Sequence, residues 1–548
     1  MKAQVKIALL VAIVMTVALV SKVYAKAPTS SVSHYMDAAL EKAESTINLN
    51  WRYQTAEDGS FRSQKSSVVI PEISLNQQFA VTDKGITKTI FLVNLANTMK
   101  KSLKDFSEAC RDPFPSQPHP ILLSKPVNPG VVHSIPTPIL PNPYTDCTNE
   151  MKIVGDDLFG KIDSLNAELM QNSTLLSDEN IVEMLDLARK LAKNMKETEE
   201  PVYYPMDGNV RMELAFAGGL NVTGGGAQDI DHFRKMVDDG YVPSSESLTV
   251  EGFLSEFDLS LESSGCDQLI CMHPALAVDI TDDTKKVYLQ IGMNSNVSKE
   301  TFERKPLNLS VVLDISGSMS ATDNTEKSRI EWAKEVLTHT INQLNEGDVL
   351  SVVLFNQESE LLFAPTDVTD KEALIKLVNS LEAGGSTNLE AGLRDGFELV
   401  SENLIAGYEN RVILISDAGL NTGVTDQANL LRLVTDFADE GIGLTAIGLG
   451  LNFNQDFIHG ITMSHGGNYI FVHSGKKMAK FFRSFNYLVT PVAYNLKARI
   501  DLNGLKAKLV NAYGVPSSEN EPLRDIVNLK TLFFSEEGGG ILLEYVLE

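Results

Sequence analysis

Between residues 306 and 490 two textures of hydrophobic positions alternate along the chain. Short continuous apolar runs lie at 307–313 (LNLSVVL), 348–355 (DVLSVVLF), 411–415 (RVILI), 443–447 (GLTAI) and 469–472. Between them come segments with apolar residues every three or four positions, at about 326–344, 371–381, 389–402, 426–440 and about 476–488. A strand that is apolar on both faces must be covered on both, and helices crossing between parallel strands do the covering. The pattern predicts an α/β fold, a parallel sheet with helices on both faces. Sites in such open sheets form at the carboxyl ends of the strands.

Outside this region the texture changes. Helical spacing over 35–48, 85–110, 150–170 and 178–195 predicts an N-terminal helical region, with Ser177 as N-cap of the last helix. The stripe Ile181, Met184, Leu185, Ala188, Leu191 and Met195 reads as a packing face. Residues 111–146 form a Pro-rich loop of polyproline II character. Glycines at 218, 219 and 224–226 lack any phosphate-binding pattern and mark a boundary or turns. Alternation at 277–280 and 286–291 predicts a small β domain over about 242–304, and 496–502 with 541–547 predict a C-terminal β segment. The two β segments are expected to pack together, with the α/β domain inserted between them. The expected organisation is 1–25, 26–205, 206–303, 304–490 and 491–548.

Composition narrows the setting. Of 548 residues 43% are hydrophobic and 22% charged, enough to bury real cores. The charge balance, 47 − 72 = −25, repels phosphate backbones and anionic membrane surfaces, so nucleic acid is excluded as a partner class. Divalent cations and basic surfaces suit it better. Residues 1–25 read as a secretory signal: Lys2 and Lys6, an uncharged stretch over 7–20, then Val23 and Ala25 before a cleavage point. That stretch is shorter than the roughly 20 residues of a spanning helix. Cleavage after Ala25 removes three lysines and leaves −25 − 3 = −28 on a mature chain with no membrane span, periplasmic or secreted. Four cysteines, Cys110, Cys147, Cys266 and Cys271, suit an oxidising compartment. Proximity pairs Cys110 with Cys147, around ten of the 21 prolines, and Cys266 with Cys271. Zinc is disfavoured because no CxxC…CxxC spacing exists.

Oxygen donors gather in three loops of the α/β region, each expected to leave the carboxyl end of a strand. The first is Asp314, Ile315, Ser316, Gly317 and Ser318, in which alternation aims Asp314, Ser316 and Ser318 the same way. The second is GGSTN at 384–388, with Thr387, and the third is Ser416 and Asp417. Two carboxylates and three hydroxyls, with waters, meet the six-oxygen demand of a hard divalent cation. DISGS, GGSTN and the SD after an apolar run resemble the von Willebrand factor A domain and its metal-ion-dependent adhesion site. The resemblance implies that Ser316, Ser318 and Thr387 are direct or near-direct ligands and that Asp314 and Asp417 act largely through waters. It implies Mg²⁺, with Mn²⁺ or Ca²⁺ as alternatives, and a coordination position open to an acidic side chain of a protein partner. Many relatives have Asp-Gly in the third loop, whereas Ala418 precedes Gly419 here, a change of loop backbone and not of ligand. The likeness is strongest over 306–490. More weakly, 226–258 and the C-terminal β segment resemble flanks of exported bacterial von Willebrand A proteins.

Catalytic patterns are missing. There is no HExxH or GxSxG, and the spacing of His459, His465 and His473 fits structural histidines. Gly475, Lys476 and Lys477 do not make a P-loop, and Asp279, Asp282 and Asp283 lack the glycine and glutamate of an EF-hand. The sequence thus predicts an exported, metal-dependent protein-binding module of adhesion type, not an enzyme. Two alternatives stay open: an envelope-complex scaffold with a merely structural metal, and a hydrolase whose site lies within 26–205.

Overall fold

A computed structural model describes residues 46–56, 67–69, 73–78, 86–109, 144–171, 178–198, 221–224, 226–227 and 230–254, then most of 257–547. Stretches 418–426 and 451–459 are among those not described. The signal segment and nearly all of the Pro-rich loop lie outside the described residues.

The chain opens with strands β1 (Thr46–Ala56), β2 (Ser67–Val69) and β3 (Ile73–Gln78). Helices α1 (Ile86–Ala109), α2 (Tyr144–Gln171) and α3 (Glu179–Glu197) follow. Then come β4 (Asn221–Gly224), β5 (Gly226–Ala227), α4 (Asp231–Asp238), α5 (Val250–Leu254), β6 (Cys271–Asp279) and β7 (Lys286–Asn294). The expected helix over 35–48 is corrected at its end, because residues 46–48 belong to β1 and pair with both β3 and the C-terminal part of the chain. Alternation in TINLNWRYQTA carries that strand, and its tertiary pairing overrides the local helical spacing. Asp178, not Ser177, caps α3, its side chain accepting from Asn180 N at 3.1 Å. Residues 242–254 are also corrected: they hold a short 3₁₀ turn and α5, and the next strand among the described residues is the one starting at Cys271. The glycines expected in turns include Gly224 and Gly226, which lie in strands.

The α/β region contains β8 (Leu307–Asp314), α6 (Arg329–Gln343), β9 (Val349–Phe355), β10 (Ser359–Asp367), α7 (Lys371–Asn379) and α8 (Leu389–Glu402). It continues through β11 (Glu409–Ser416), α9 (Gln427–Asp439), β12 (Gly443–Leu449) and β13 (Asn468–Val472). Last come β14 (Pro491–Asn503), β15 (Ala507–Tyr513), β16 (Ile526–Ser535) and β17 (Ile541–Leu547).

Two sheets result. The first has ten strands, ordered β15-β17-β7-β4-β16-β14-β1-β2, with β3 beside β1 and β6 beside β7. It therefore joins strands from 46–78, from 221–294 and from the C-terminal segment. Helix α1 packs on it, with Thr89 donating to Gln290 Oε1 of β7 at 2.8 Å, and α2 and α3 pack on α1 and on each other, so that Leu92, Met99, Ile162, Leu185, Leu289, Leu496 and Leu543 share one core. The second sheet runs β10-β9-β8-β11-β12-β13-β5. Its strands are parallel except β10, an antiparallel edge whose exposed and half-buried side chains hide it from a search for buried runs.

Both faces of the second sheet are covered, as continuous apolar strands require. One core packs Leu309, Val311 and Ile413 against Trp332, Val336 and Leu337 of α6. The other packs Val312, Val412 and Leu414 against Leu393 and Phe397 of α8 and Leu430 and Val434 of α9. Helix α8 lies close to the strands because it turns glycines inward: a Cβ on Gly396 would sit 2.2 Å from Val312 Cγ2. The sheets meet near the amino end of β11. There the buried Arg411 donates to Thr445 Oγ1 (2.9 Å) and Gly466 O (2.8 Å) and lies over the Phe533 ring of β16.

Candidate metal centre

The order of the second sheet places its reversal at β8, which is followed in the chain by β9 on one side and paired with β11 on the other. The crevice beyond the carboxyl ends at such a reversal is where α/β sheets bind ligands. Asp314 ends β8, and Ser416 ends β11 with Asp417 next to it. Both carboxylates are buried.

The first loop folds back on its own carboxylate. Asp314 Oδ1 accepts from Ser316 N at 2.8 Å, which turns the chain so that the Ser316 and Ser318 hydroxyls come within 3.1 Å of each other. Asp314 Oδ2 accepts from the Ser416 hydroxyl at 2.6 Å, tying the first loop to the third. Residues 317–320 then form a 3₁₀ turn, which exposes Ser318 while Ser316 stays buried.

The second loop corrects a sequence expectation, because residues 384–388 do not leave a strand. They join α7 to α8, and backbone hydrogen bonds carry them to the sheet edge. Gly384 N donates to Ile315 O at 2.7 Å, and Gly317 N donates to Gly385 O at 2.9 Å. Asn356, just past β9, clamps the loop from the other side: Asn388 N donates to its carbonyl at 2.6 Å, and its own Nδ2 donates to Gly384 O at 3.2 Å. Gly385 takes φ +87°, and a Cβ there would sit 2.3 Å from Gln357 Oε1, so this turn requires glycine. Thr387 is buried, and Asn388 caps α8.

Electrostatics identify the centre as charge-stressed. Burial pushes the Asp314 carboxyl up to about 6, and the negative charge of Asp417 adds to the rise, against hydrogen bonds from Ser416 and Ser316. Two buried acids that repel each other beside two converging hydroxyls form a donor set suited to a hard cation. Among the described residues no three of His, Cys, Asp and Glu cluster as a metal site.

One participant was not foreseen. Arg329, the first residue of α6, is buried and donates Nη1 to Asp417 Oδ2 at 2.6 Å. Its Nε and Nη2 grip Asp323 at 2.5 and 2.6 Å. Burial opposes its charge, but Asp323 and Asp417 outweigh burial and its pKa rises. The histidines behave as structural groups where described: His465 meets Asn495 Oδ1 at 3.1 Å, and burial pushes its pKa down. Among the described residues no cysteine is free. Cys271 starts β6, while the side chains of Cys110, Cys147 and Cys266 lie outside the described residues, as do His459 and Ala418.

The profile of the von Willebrand factor type A domain matches residues 309–420, from inside β8 to just past Asp417. This chain contains a von Willebrand factor type A domain. It is 23% identical over 278 residues to the uncharacterized protein YfbK of Escherichia coli (strain K12), covering 49% of this chain and 47% of YfbK. It is 30% identical over 183 residues to the uncharacterized protein sll0103 of Synechocystis sp., covering 33% of this chain and 41% of that protein. The likeness to inter-alpha-trypsin inhibitor heavy chain H1 of Sus scrofa is 28% over 170 residues, or 29% of this chain and 18% of the heavy chain. The chain thus spans less than half the length of each of these relatives. Among solved structures, a von Willebrand factor type A protein from Catenulispora acidiphila aligns with TM-score 0.33 at 14% identity, over 52% of this chain and 67% of that one. The A domain is a protein-interaction module, and among the described residues no helix is long and apolar enough to cross a membrane.

Proposed function

We propose that Asp314, Ser316, Ser318, Thr387 and Asp417 hold a divalent cation, Mg²⁺ by preference with Mn²⁺ or Ca²⁺ as alternatives, and that this centre binds an acidic side chain of a protein partner. The observation that supports it is the buried Asp314 carboxyl at about 6, facing Asp417 across loops that bring the Ser316 and Ser318 hydroxyls together. Arg329 answers the charge of Asp417, but the buried charge of Asp314 still opposes folding. A divalent cation would supply the missing positive charge and a Lewis-acidic attachment point. Asp314 and Asp417 provide charge, the serines and Thr387 provide neutral oxygen, and the backbone ties between loops fix their spacing.

On this reading the chain is a non-enzymatic adhesion-type module, exported to the periplasm or beyond after cleavage behind Ala25. Its oxidised cysteines pair as Cys110–Cys147 and Cys266–Cys271. The A domain occupies about 304–490, and the N-terminal helices and flanking strands present it. Isothermal calorimetry of the full chain with Mg²⁺ tests the centre: the native chain binds, and Asp314→Ala with an unchanged circular dichroism spectrum does not. Retained micromolar binding in the variant removes the site assignment. Pulldowns with and without chelator separate this function from the scaffold, whose partners would survive chelation. Turnover by the N-terminal region without partner binding would favour the hydrolase.

A further inference from the structure

We propose that Arg329 is a resident counter-cation of the metal centre: it positions Asp417 and, as a fixed positive charge touching it, holds down the affinity of the centre for a free divalent ion. The proposal rests on the metal-binding function proposed above.

Geometry carries it. One guanidinium joins two of the three loops, donating to Asp417 Oδ2 at 2.6 Å and to Ser318 O at 3.4 Å. Asp323, held on its other two nitrogens, is not a candidate ligand and fixes the planar fork in one orientation. Asp323 itself takes φ +47°, a left-handed conformation sparsely populated by non-glycine residues. The end of β12 is built around the same group: Gly450 has φ +83°, and a Cβ there would sit 2.1 Å from Arg329 Nε. A surface ion pair has no such housing.

The consequence is electrostatic. In a buried site a cation at hydrogen-bond distance from a ligand carboxylate opposes a second cation at that ligand, because the surrounding dielectric screens it weakly. Asp323 partly offsets the guanidinium, but from its far side. Arg329 therefore has two effects of opposite sign. Holding Asp417 ready favours the ion, and its charge disfavours it. The native centre should hold a free ion weakly and grip it when a partner carboxylate adds negative charge, so that ion and partner bind with positive linkage.

Two substitutions separate the effects. Arg329→Lys loses the fork and keeps the charge, and Arg329→Gln loses both. Mn²⁺ titration of the full chain, followed by electron paramagnetic resonance of the free ion, reads the affinities. The expected result is that Arg329→Gln binds Mn²⁺ about tenfold more tightly than Arg329→Lys, the direction a fixed charge dictates. A positioning role alone gives equal affinities or the reverse order, and either overturns the proposal. If Arg329→Gln fails to fold with its acids uncompensated, the comparison moves to Asp323→Asn/Arg329→Gln against Asp323→Asn/Arg329→Lys. The first of these keeps the local charge of the native trio, and the same order is expected. Absence of Mn²⁺ binding in the native chain and in every variant removes the metal-centre reading itself, and this proposal with it. Native binding with no Gln–Lys difference removes this proposal alone.

Discussion

The Ser416 hydroxyl donates to Asp314 Oδ2 at 2.6 Å across the two central strands, β8 and β11, whose register runs to Leu313 opposite Ile415. This bond connects the interior to the chemistry, because strand pairing decides which two loops can share a carboxylate. It also shows how strongly the fold works to keep Asp314 charged: three hydrogen bonds are not enough to hold its carboxyl in the usual range.

Replacing Asp314 by Asn should therefore stabilise the ion-free protein. The folded carboxyl titrates at about 6, above its ordinary 3.8, so the folded state binds a proton more tightly than the unfolded chain. The Asp314 contribution is then most favourable below about pH 4 and is lost as pH rises through 6. The loss is on the order of 3 kcal/mol at neutral pH. Asn has no charge to lose, and the Ser416 hydroxyl can turn to meet either of its terminal atoms. Urea unfolding in chelator should show Asp314→Asn more stable than the native chain at pH 7.5, with the gain gone near pH 4. A destabilised variant at pH 7.5 would mean that the hydrogen bonds outweigh the buried charge.

The same group makes ion binding pH-dependent. Below about pH 6 a proton competes with the cation for Asp314, so Mg²⁺ affinity should fall about tenfold for each further unit of acidity. Above pH 7 it should level off. Calorimetric titrations at pH 7.5, 6.0 and 5.0 check this. A flat profile would show that Asp314 stays charged throughout and that the burial argument fails.

The central strands were legible because β8, β9, β11, β12 and β13 are short, mostly apolar runs that are buried nearly throughout, and such runs have few alternatives to a doubly covered sheet. The metal-site motif was legible because its residues are local to loops. What depended on pairing was not. Residues 46–48 fit a helix until β14 is available to receive Asn48 opposite Asp501. Strand β10 is too exposed to announce itself, and the second loop reaches the edge by backbone bonds to β8 and β9 that no spacing encodes. Arg329 follows a helix cap, Ser328, and could have been noticed as a charge at the start of an apolar helix. Its contact with Asp417, 88 residues on, could not.

Packing of α8 against the sheet gives a stability prediction. Gly396→Ala gains about 1 kcal/mol of helix propensity, yet its methyl would lie 2.2 Å from Val312 Cγ2 in the central strand. Overpacking of this kind costs about 1–3 kcal/mol, and Val312 is fully buried in β8 between β9 and β11. Overpacking should win, lowering the unfolding temperature of the A domain by several degrees. Scanning calorimetry decides it: an equal or higher transition temperature would mean that α8 shifts outward at little cost.

The cysteines make a chemical prediction. An exported chain with four cysteines and no zinc spacing should have oxidised them in pairs. Ellman's reagent under denaturing, non-reducing conditions should find no thiol, and peptide mapping should join Cys110 to Cys147 and Cys266 to Cys271. Four reactive thiols would overturn both the pairing and the oxidising compartment.

Partner binding should need both the ion and an acid on the partner. A chain of net charge −25 repels an acidic surface, but only over the roughly 8–10 Å that physiological salt leaves unscreened. Inside that distance a divalent ion would be the largest local charge and would reverse the sign of the interaction. Desolvating the incoming carboxylate costs free energy, so contacts around the centre must contribute most of the affinity. Two dependences follow for an acidic partner: added salt should speed association by screening the long-range repulsion, and chelator should abolish tight binding at any salt concentration. Surface plasmon resonance of the full chain against its captured partner, in Mg²⁺ and in chelator, measures both. Equal affinity in the two buffers would leave the centre without a role in binding and transfer the contacts to the helical region and its Pro-rich loop.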